Sequence, residues 1–173
     1  MKTVLTSQQL MYYRRQGHVR FENFPLDFQK ITNLIKKNPR DLFRKEPFLK
    51  KIILQQLGPI ALELTKSNAL HLACDQWFDS PPLSCPMKNL FCFQNLACIF
   101  VFSSNNSETI LDVFEPSSLS SRIPPDAYLV VFAKENGVLV ENQNDPFTVQ
   151  TRNLGYVYGD RLKNELHPIV RPN

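Results

Sequence analysis

The hydrophobic pattern of the chain changes near residue 69. Before it, apolar residues recur at helical spacing, as in Phe28, Ile31 and Leu34, around one alternating stretch, 18–24, typical of a half-buried strand. After it, period-two alternation predicts strands at about 69–78, 90–103, 109–114, 127–133, 137–142 and 147–158. Helices followed by short antiparallel strands predict an α+β domain, or a β-sandwich or barrel covered by helices.

Local signals set the ends of the predicted elements. Thr6 and Gln9 have capping-box spacing, and Gly17 is a stop signal, so a helix is expected between them. Another helix is predicted from Phe48 to Leu57, where Gly58-Pro59 should break it, with a short helical turn or two after the break. The polar segment 160–173 predicts a short helix and an extended end.

Length and composition favour one domain spanning 1–173. At 173 residues with 43% hydrophobic side chains the chain can bury a core. We expect a mainly helical part with one strand at 1–68, jelly-roll strands at 69–158 and a polar tail at 159–173. Five glycines against 13 prolines and 13 phenylalanines argue against an all-helical bundle.

The charge and the cysteines limit the function classes. A net charge of +4 without a dense basic block makes nucleic acid an unexpected partner. The cysteines lack metal or redox spacing and are expected to be reduced and mostly buried: Cys74, Cys85, Cys92 and Cys98. With no signal peptide and no long apolar run, we expect a cytoplasmic protein without a membrane span, although secretion by another route stays open.

The N-terminal stretch SQQLMYYRRQGHVRFENF resembles the opening of phytanoyl-CoA-dioxygenase-like proteins. The residues that carry the resemblance are Gln9, Tyr13, Gly17, Val19, Asn23 and Phe24. Those proteins are non-haem Fe(II)/2-oxoglutarate oxygenases, so the resemblance implies a double-stranded β-helix, the jelly-roll or cupin-like core. The whole chain is also similar to a small group of uncharacterised chlamydial proteins with this layout, which favours a bacterial source.

The family's iron ligands, a His-x-Asp pair and a distant His, can be sought in this sequence. The segment ACDQWF places Asp75 at the Asp ligand and Ala73 at the first His. His71 is the alternative, since strand alternation would put it on the same face as Asp75. Four strand steps separate their Cα atoms by roughly 13 Å, so only a bulge or bend would let both bind one metal.

The distal part of the site has two possible registers. In the first, the resemblance places Arg152 on a strand as the residue that binds 2-oxoglutarate, and Glu141 or Asn142 at the distal His. In the second, His167 is the distal ligand, but only six residues follow it, too few for the Arg-bearing strand. A histidine at this place is more typical of the surface.

Other constellations are weaker. No GxGxxG, GxxxxGK[ST], HExxH or GxSxG is present. Cys74 and His71 should face opposite sides of a strand, which argues against a Cys-His nucleophile. Asp75 and Asp79 could form an acid/base pair, although a cap at the strand end is the simpler interpretation.

Three functions remain open. The favoured one is a non-catalytic binding or regulatory protein with a 2-oxoglutarate-oxygenase-like fold and a degenerate metal site, with no cofactor and a protein or small-molecule partner. An active Fe(II)/2-oxoglutarate hydroxylase would hold iron with Asp75 and His71, Glu141 or His167, and 2-oxoglutarate with Arg152. The third is an unrelated α+β interaction or regulatory protein. A partner-binding protein should expose an apolar patch, expected among the phenylalanines at 91–102.

Overall fold

Within the residues that the structure describes, the core is a curled antiparallel sheet of six strands, and the helices of the N-terminal part cover one of its faces. The computed structural model describes residues 5–26, 28–35, 39–79, 90–105, 108–119 and 123–172. In spatial order the strands are β1 (His18–Phe21), β4 (Glu108–Phe114), β3 (Phe93–Asn105), β5 (Ala127–Leu139), β2 (Leu70–Phe78) and β6 (Ile169–Val170). The helices are α1 (Ser7–Gln16), α2 (Phe28–Ile35), α3 (Pro47–Ile52), α4 (Gly58–Thr65) and α5 (Thr148–Arg152).

Helix α1 is bounded by the two signals expected from the sequence. The Thr6 hydroxyl accepts from the Gln9 N–H, and the Gln9 side chain accepts from the Thr6 N–H, which completes the capping box. Gly17 ends the helix in the left-handed region, with φ of 66°. A Cβ at Gly17 would also collide with the Ser118 hydroxyl, so this position requires glycine for two reasons.

The predicted break at Gly58-Pro59 is wrong, because the chain remains helical through it. Helix α3 passes into a π-helical turn at Ile53–Leu57 and then into α4. Pro59 lies in the first turn of α4, where its ring and missing N–H are tolerated. Gly58 is needed for packing, because a Cβ there would collide with Val170 of β6.

Two of the strand predictions are also wrong. The strands expected at 127–133 and 137–142 are one strand, β5, whose polar residues 134–136 are exposed yet extended. The strand expected at 147–158 is α5 and turns. Side chains there bond the backbone instead of a ladder: the Thr148 hydroxyl donates to Asn142 O and the Thr151 hydroxyl to Phe147 O.

The described part of the polar tail has the expected extended end, which forms a short strand, but a turn in place of the expected helix. Residues 164–166 form a turn, and β6 then pairs antiparallel with β2, with Val170 opposite Leu70. Val170 is buried and Ile169 half-buried, so these two apolar residues extend the sheet by one short edge strand.

The sheet separates two apolar cores. The helix-side core includes Ile31, Ile53, Leu72, Trp77, Val130 and Phe132. The opposite, loop-side core includes Ala73, Cys74, Phe93, Val131, Ala133 and Tyr156. None of the described helices is long and apolar enough to cross a membrane.

The phenylalanines at 91–102 do not form the expected exposed patch. Phe93, Phe100 and Phe102 are buried because β3 is a central strand with both faces covered, and Phe91, which precedes β3, is buried in the loop-side core. Among the described residues, the large apolar side chains that are exposed lie elsewhere: Met11, Tyr12, Phe48, Val149, Leu154 and Val157.

Candidate functional site

A β-bulge at Ala73 reverses the side-chain alternation of β2. Leu72 pairs with Phe132 and Cys74 with the next residue of β5, Val131, so Ala73 is the extra residue. Ala73 and Cys74 therefore both belong to the loop-side core. Each residue after the bulge lies on the face opposite to the one that simple alternation predicts.

The bulge places His71 and Asp75 on opposite faces of the sheet. His71 lies opposite Ala133, a loop-side residue, whereas Asp75 lies opposite Val130, a helix-side residue. Residues paired across antiparallel strands share a face. The expectation that His71 and Asp75 share one face is wrong, because it assumed an unbroken strand.

The Asp75 carboxylate is buried and bonded to the backbone. Oδ1 accepts from the Leu42 N–H at 2.9 Å and Oδ2 from the Phe43 N–H at 2.8 Å. These N–H groups begin a single 3₁₀ turn, Leu42–Arg44, so Asp75 holds that turn against the sheet. Burial raises the pKa of Asp75 to about 7, although the two backbone bonds act in the opposite direction.

His71 and His167 are linked to each other through the backbone. Because a carbonyl only accepts, His71 Nδ1 donates to His167 O at 2.9 Å, and His167 Nδ1 donates to Ala73 O at 2.8 Å. Both histidines are buried. The carbonyl of the bulge residue, Ala73, thus helps to hold the C-terminal segment against β2.

The expectation that His167 lies on the surface is wrong. Its ring is fully buried and makes edge contacts with the rings of Phe93 and Tyr156. Nε2 lies 3.4 Å from an Arg44 guanidinium nitrogen, which can only donate. Burial and then the charge of Arg44 lower the pKa of His167 to about 3, so the ring is neutral.

Glu141 and Arg152 are both at the surface. Glu141 is exposed and follows β5 by two residues. Arg152 is exposed at the end of α5, with its guanidinium carbon 5.1 Å from the centre of the Tyr158 ring. The expectation of a strand under Arg152 is wrong, and the second candidate for the distal position, Asn142, is half-buried and donates to Phe91 O.

The predicted ligands do not fit a shared iron. A three-ligand face needs donor atoms about 2 Å from one ion, whereas Asp75 and His71 lie on opposite sheet faces. A cation at His167 Nε2 would meet the Arg44 guanidinium. Within the described ranges, no three His, Cys, Asp or Glu side chains are grouped so that they could hold a metal.

The two other candidate groups, the Asp75 and Asp79 pair and the Cys74 and His71 pair, also differ from expectation. Asp79 is exposed and accepts from Trp77 Nε1 at 2.6 Å, whereas Asp75 is buried and both of its oxygens accept backbone N–H groups. Cys74 shares the loop-side face with His71, contrary to the prediction, because of the bulge. Burial raises the pKa of the Cys74 thiol well above its usual value, so no thiolate is available there.

The described cysteines agree with the expected reduced, buried thiols. Cys74, Cys92 and Cys98 are unpaired and buried, and burial raises the pKa of Cys92 to about 12. Cys85 lies outside the described residues.

A buried ion pair forms the polar centre of the loop side. Arg40 donates through both terminal nitrogens to the Asp145 carboxylate, at 3.2 and 3.1 Å. Arg40 also donates to Gln76 Oε1 at 2.5 Å, and Asp145 accepts from the Cys92 N–H at 2.7 Å. The guanidinium carbon of Arg40 lies within 5.8 Å of three ring centres: Phe91, Phe93 and Phe147.

Sequence reasoning missed this ion pair. Arg40 and Asp145 are 105 positions apart, and each stands beside a proline in a polar segment that predicts only a turn. The one usable signal was Asp145-Pro146-Phe147, an Asx-type turn in which Asp145 Oδ1 accepts from the Phe147 N–H.

A cavity of about 190 Å³ lies beside this ion pair. Arg40 Nε and Asp41 Oδ1 are buried, have no hydrogen-bond partner among the described residues, and lie 3.8 Å apart. Arg44 pairs with the other Asp41 oxygen at 3.2 Å and donates to Leu166 O. The charges lining the cavity are therefore largely matched within the protein.

The curled antiparallel sheet with helices on one face is the double-stranded β-helix fold of the 2-oxoglutarate-dependent oxygenases. This confirms the fold class expected from the sequence. Comparison with family models and with curated protein sequences gives no match.

Solved structures share this fold at low sequence identity. The carbocyclase SnoK from nogalamycin biosynthesis, a non-haem α-ketoglutarate-dependent enzyme, is 14% identical; the match covers 98% of this chain and 99% of SnoK, with a TM-score of 0.65. The epimerase SnoN, in complex with Fe³⁺, α-ketoglutarate and nogalamycin RO, is 10% identical over 95% of this chain and 98% of SnoN, with a TM-score of 0.61.

CT296 from Chlamydia trachomatis is also similar. It is 18% identical over 77% of this chain and 97% of CT296, with a TM-score of 0.54. This likeness agrees with the chlamydial resemblance expected from the sequence. At these identities the similarities establish the shared fold alone.

Proposed function

We propose that this chain is a non-catalytic binding or regulatory protein built on the 2-oxoglutarate-oxygenase fold. The observation that carries the proposal is the bonding of Asp75. Both of its oxygens accept backbone N–H groups, from Leu42 and Phe43, on the sheet face opposite to His71. The carboxylate that would be an iron ligand serves instead to hold a turn.

The energetic balance disfavours a metal at Asp75. A metal bound there would take the carboxylate oxygens from two buried N–H groups. Leaving a buried N–H without a partner costs about 1–3 kcal/mol. The only described histidine on β2, His71, could not compensate, since it lies across the sheet.

The two remaining predicted ligands support the same proposal. His167 donates through Nδ1 and faces a guanidinium through Nε2, so its free lone pair points at a positive charge. Glu141 is exposed in the loop after β5. A metal site that used His167 and Glu141 would need the segments carrying these two residues to move.

The buried Arg40 also supports a role without 2-oxoglutarate. A guanidinium is the usual two-pronged partner of a carboxylate. In this chain the carboxylate is internal, from Asp145. An external dicarboxylate would have to displace Asp145 and leave it buried and unpaired, which is strongly unfavourable.

The function therefore lies in binding, with a protein or a small molecule as partner. The net charge of +4 is small for nucleic-acid binding.

Calorimetry with Mn(II) in the presence of 2-oxoglutarate tests the proposal. We expect no heat of binding from the metal-stripped wild-type protein, and the same result from Asp75→Asn and from the exposed control Asp79→Asn. One-to-one Mn(II) binding that Asp75→Asn abolishes and Asp79→Asn retains would overturn the proposal and favour an active hydroxylase.

A further inference from the structure

A groove of about 560 Å³ lies where α1 and α4 end against the sheet. Its apolar wall includes Leu64 of α4, Leu96 and Ala97 of β3, and Pro116 after β4. Two register shifts in β3, on either side of Leu96, bend the strand at this point. The volume is in the range of small-molecule sites.

Three cationic side chains line this groove. Arg14, Lys66 and Lys134 are exposed, and in the described part of the chain their side chains form no ion pair or hydrogen bond. They come from α1, from the residue that ends α4, and from β5. One carboxylate, Glu115, also lines the groove, so its charge is net positive.

The Tyr13 hydroxyl is an unsatisfied polar group in the same place. Tyr13 is only 2% exposed and lines the groove, and its hydroxyl has no hydrogen-bond partner among the described residues. Buried hydroxyls without partners are uncommon because each loses its bonds to water. Because the hydroxyl oxygen is itself shielded from solvent, it becomes a donor to a bound molecule once the groove lining shifts to admit that molecule.

We propose that this groove binds a small amphipathic anion, an apolar body that carries a carboxylate, sulfonate or phosphate. The apolar wall would hold the body. The three cations would attract the acidic group, and the Tyr13 hydroxyl would donate to one of its oxygens. The groove does not include Asp75 or the Arg40–Asp145 pair, so this proposal is independent of the proposed function.

Two related dyes test the proposal on the full chain. 8-Anilino-1-naphthalenesulfonate has an apolar body and an acidic group, and N-phenyl-1-naphthylamine lacks the sulfonate. We expect saturable one-to-one fluorescence enhancement with the sulfonate dye, weakened by salt, and markedly weaker binding of the neutral dye. Equal affinity for both dyes, or no saturable binding, would overturn the proposal.

Charge variants locate the binding. Arg14→Gln and Lys134→Gln should each weaken binding of the sulfonate dye by about two- to fivefold, the range for a partly exposed ion pair. Glu115→Gln should strengthen it by a similar factor. Matched controls are Arg15→Gln in the same turn of α1 and Glu63→Gln on α4, both exposed and outside the groove.

These variants separate a local site from a general charge effect. The proposal predicts no change in affinity for either control. If Arg15→Gln weakens binding as much as Arg14→Gln, the dye responds only to net charge and the proposal fails.

Tyr13→Phe tests the hydroxyl. Because the hydroxyl has no partner in the part of the chain that the structure describes, its loss should leave the melting temperature unchanged or raise it, while dye affinity falls by about two- to tenfold. Tyr12→Phe, on the exposed neighbour, should change neither. A lower melting temperature for Tyr13→Phe, or unchanged dye affinity, would contradict the assigned role.

Discussion

Arg40 and Asp145 form a bidentate ion pair, with N–O distances of 3.2 and 3.1 Å, between segments 105 residues apart. Both side chains are almost fully buried. The pair joins the turn before the 3₁₀ segment to the loop before α5. Long-range bonds of this kind fix loops that have no ladder of their own.

Removing one partner of this pair should strongly destabilise the protein. Asp145→Ala leaves the Arg40 guanidinium buried without its carboxylate, and we expect a loss of about 3–5 kcal/mol in the free energy of unfolding. Urea denaturation followed by circular dichroism measures the change. The exposed control Glu63→Ala on α4 should cost less than about 1 kcal/mol.

The double variant Arg40→Met with Asp145→Leu isolates the cost of an unpaired charge. Since replacing both partners by apolar residues leaves no buried charge, it should recover a large part of the stability lost in Asp145→Ala. A double variant no more stable than Asp145→Ala would show that the pair is needed for more than charge neutralisation.

The raised pKa of Asp75 makes stability depend on pH with a definite sign. Its pKa is about 7 in the folded protein against an ordinary value of 3.8. Between these values the folded state binds more protons than the unfolded state, so stability falls as pH rises. The span corresponds to about 4 kcal/mol at most.

Denaturation of wild type and Asp75→Asn across this pH range tests the sign. The variant is expected to be less stable overall, since an amide cannot accept both backbone N–H groups, and to lose the downward contribution that Asp75 makes to the pH dependence between about pH 4 and pH 7. If both proteins show the same slope, the pKa of Asp75 is not raised.

The contribution of His167 to stability depends on pH in the opposite direction. Its pKa is lowered to about 3 from an ordinary 6.5, so in this interval the unfolded state binds more protons and stability rises with pH. The contribution of neutral, buried His167 to stability is complete above pH 6.5, its pKa in the unfolded chain. It is lost as the pH falls towards about 3, its pKa in the folded protein.

In wild type the two effects oppose each other between about pH 4 and pH 6.5. His167→Gln should therefore expose the fall due to Asp75, and Asp75→Asn the rise due to His167. A chemical-shift titration of the His167 ring gives an independent check. A ring that titrates near its ordinary value would contradict the burial and the Arg44 contact that lower its pKa.

Much of the fold was predictable because its signals are local. The capping box of Thr6 and Gln9, the stop at Gly17 and the alternation along 70–78 and 108–114 depend on nearby residues only. The failures have physical causes as well. Pro59 is accommodated by a π turn, and Thr148 and Thr151 satisfy the backbone where a strand was expected.

The site was less predictable, because its geometry depends on one bulge and on contacts distant in sequence. Nothing in LHLACDQWF marks Ala73 as an extra residue, yet this residue decides the faces of His71 and Asp75. The burial of His167 depends on Phe93 and Tyr156, which no local pattern relates to it. That Asp75 binds no metal is a prediction, and the Mn(II) titration tests it.

The glycine that ends α1 allows the cost of a steric collision to be separated from the cost of a left-handed backbone. Gly17 and Gly155 have φ of 66° and 86°, so alanine is strained at both. A Cβ at Gly17 would collide with Ser118, whereas nothing lies within 4 Å of a Cβ at Gly155. Gly155→Ala should cost about 1 kcal/mol, from the backbone alone.

Gly17→Ala should cost more than Gly155→Ala, by about 1–3 kcal/mol, because the turn bearing Ser118 must also shift. The Gly17 carbonyl accepts from the Glu115 N–H at 2.7 Å, so the shift would also weaken the contact of α1 with the end of β4. Urea denaturation of the two variants gives the difference directly. Equal losses would mean that Ser118 moves aside freely and that only the left-handed conformation requires glycine at Gly17.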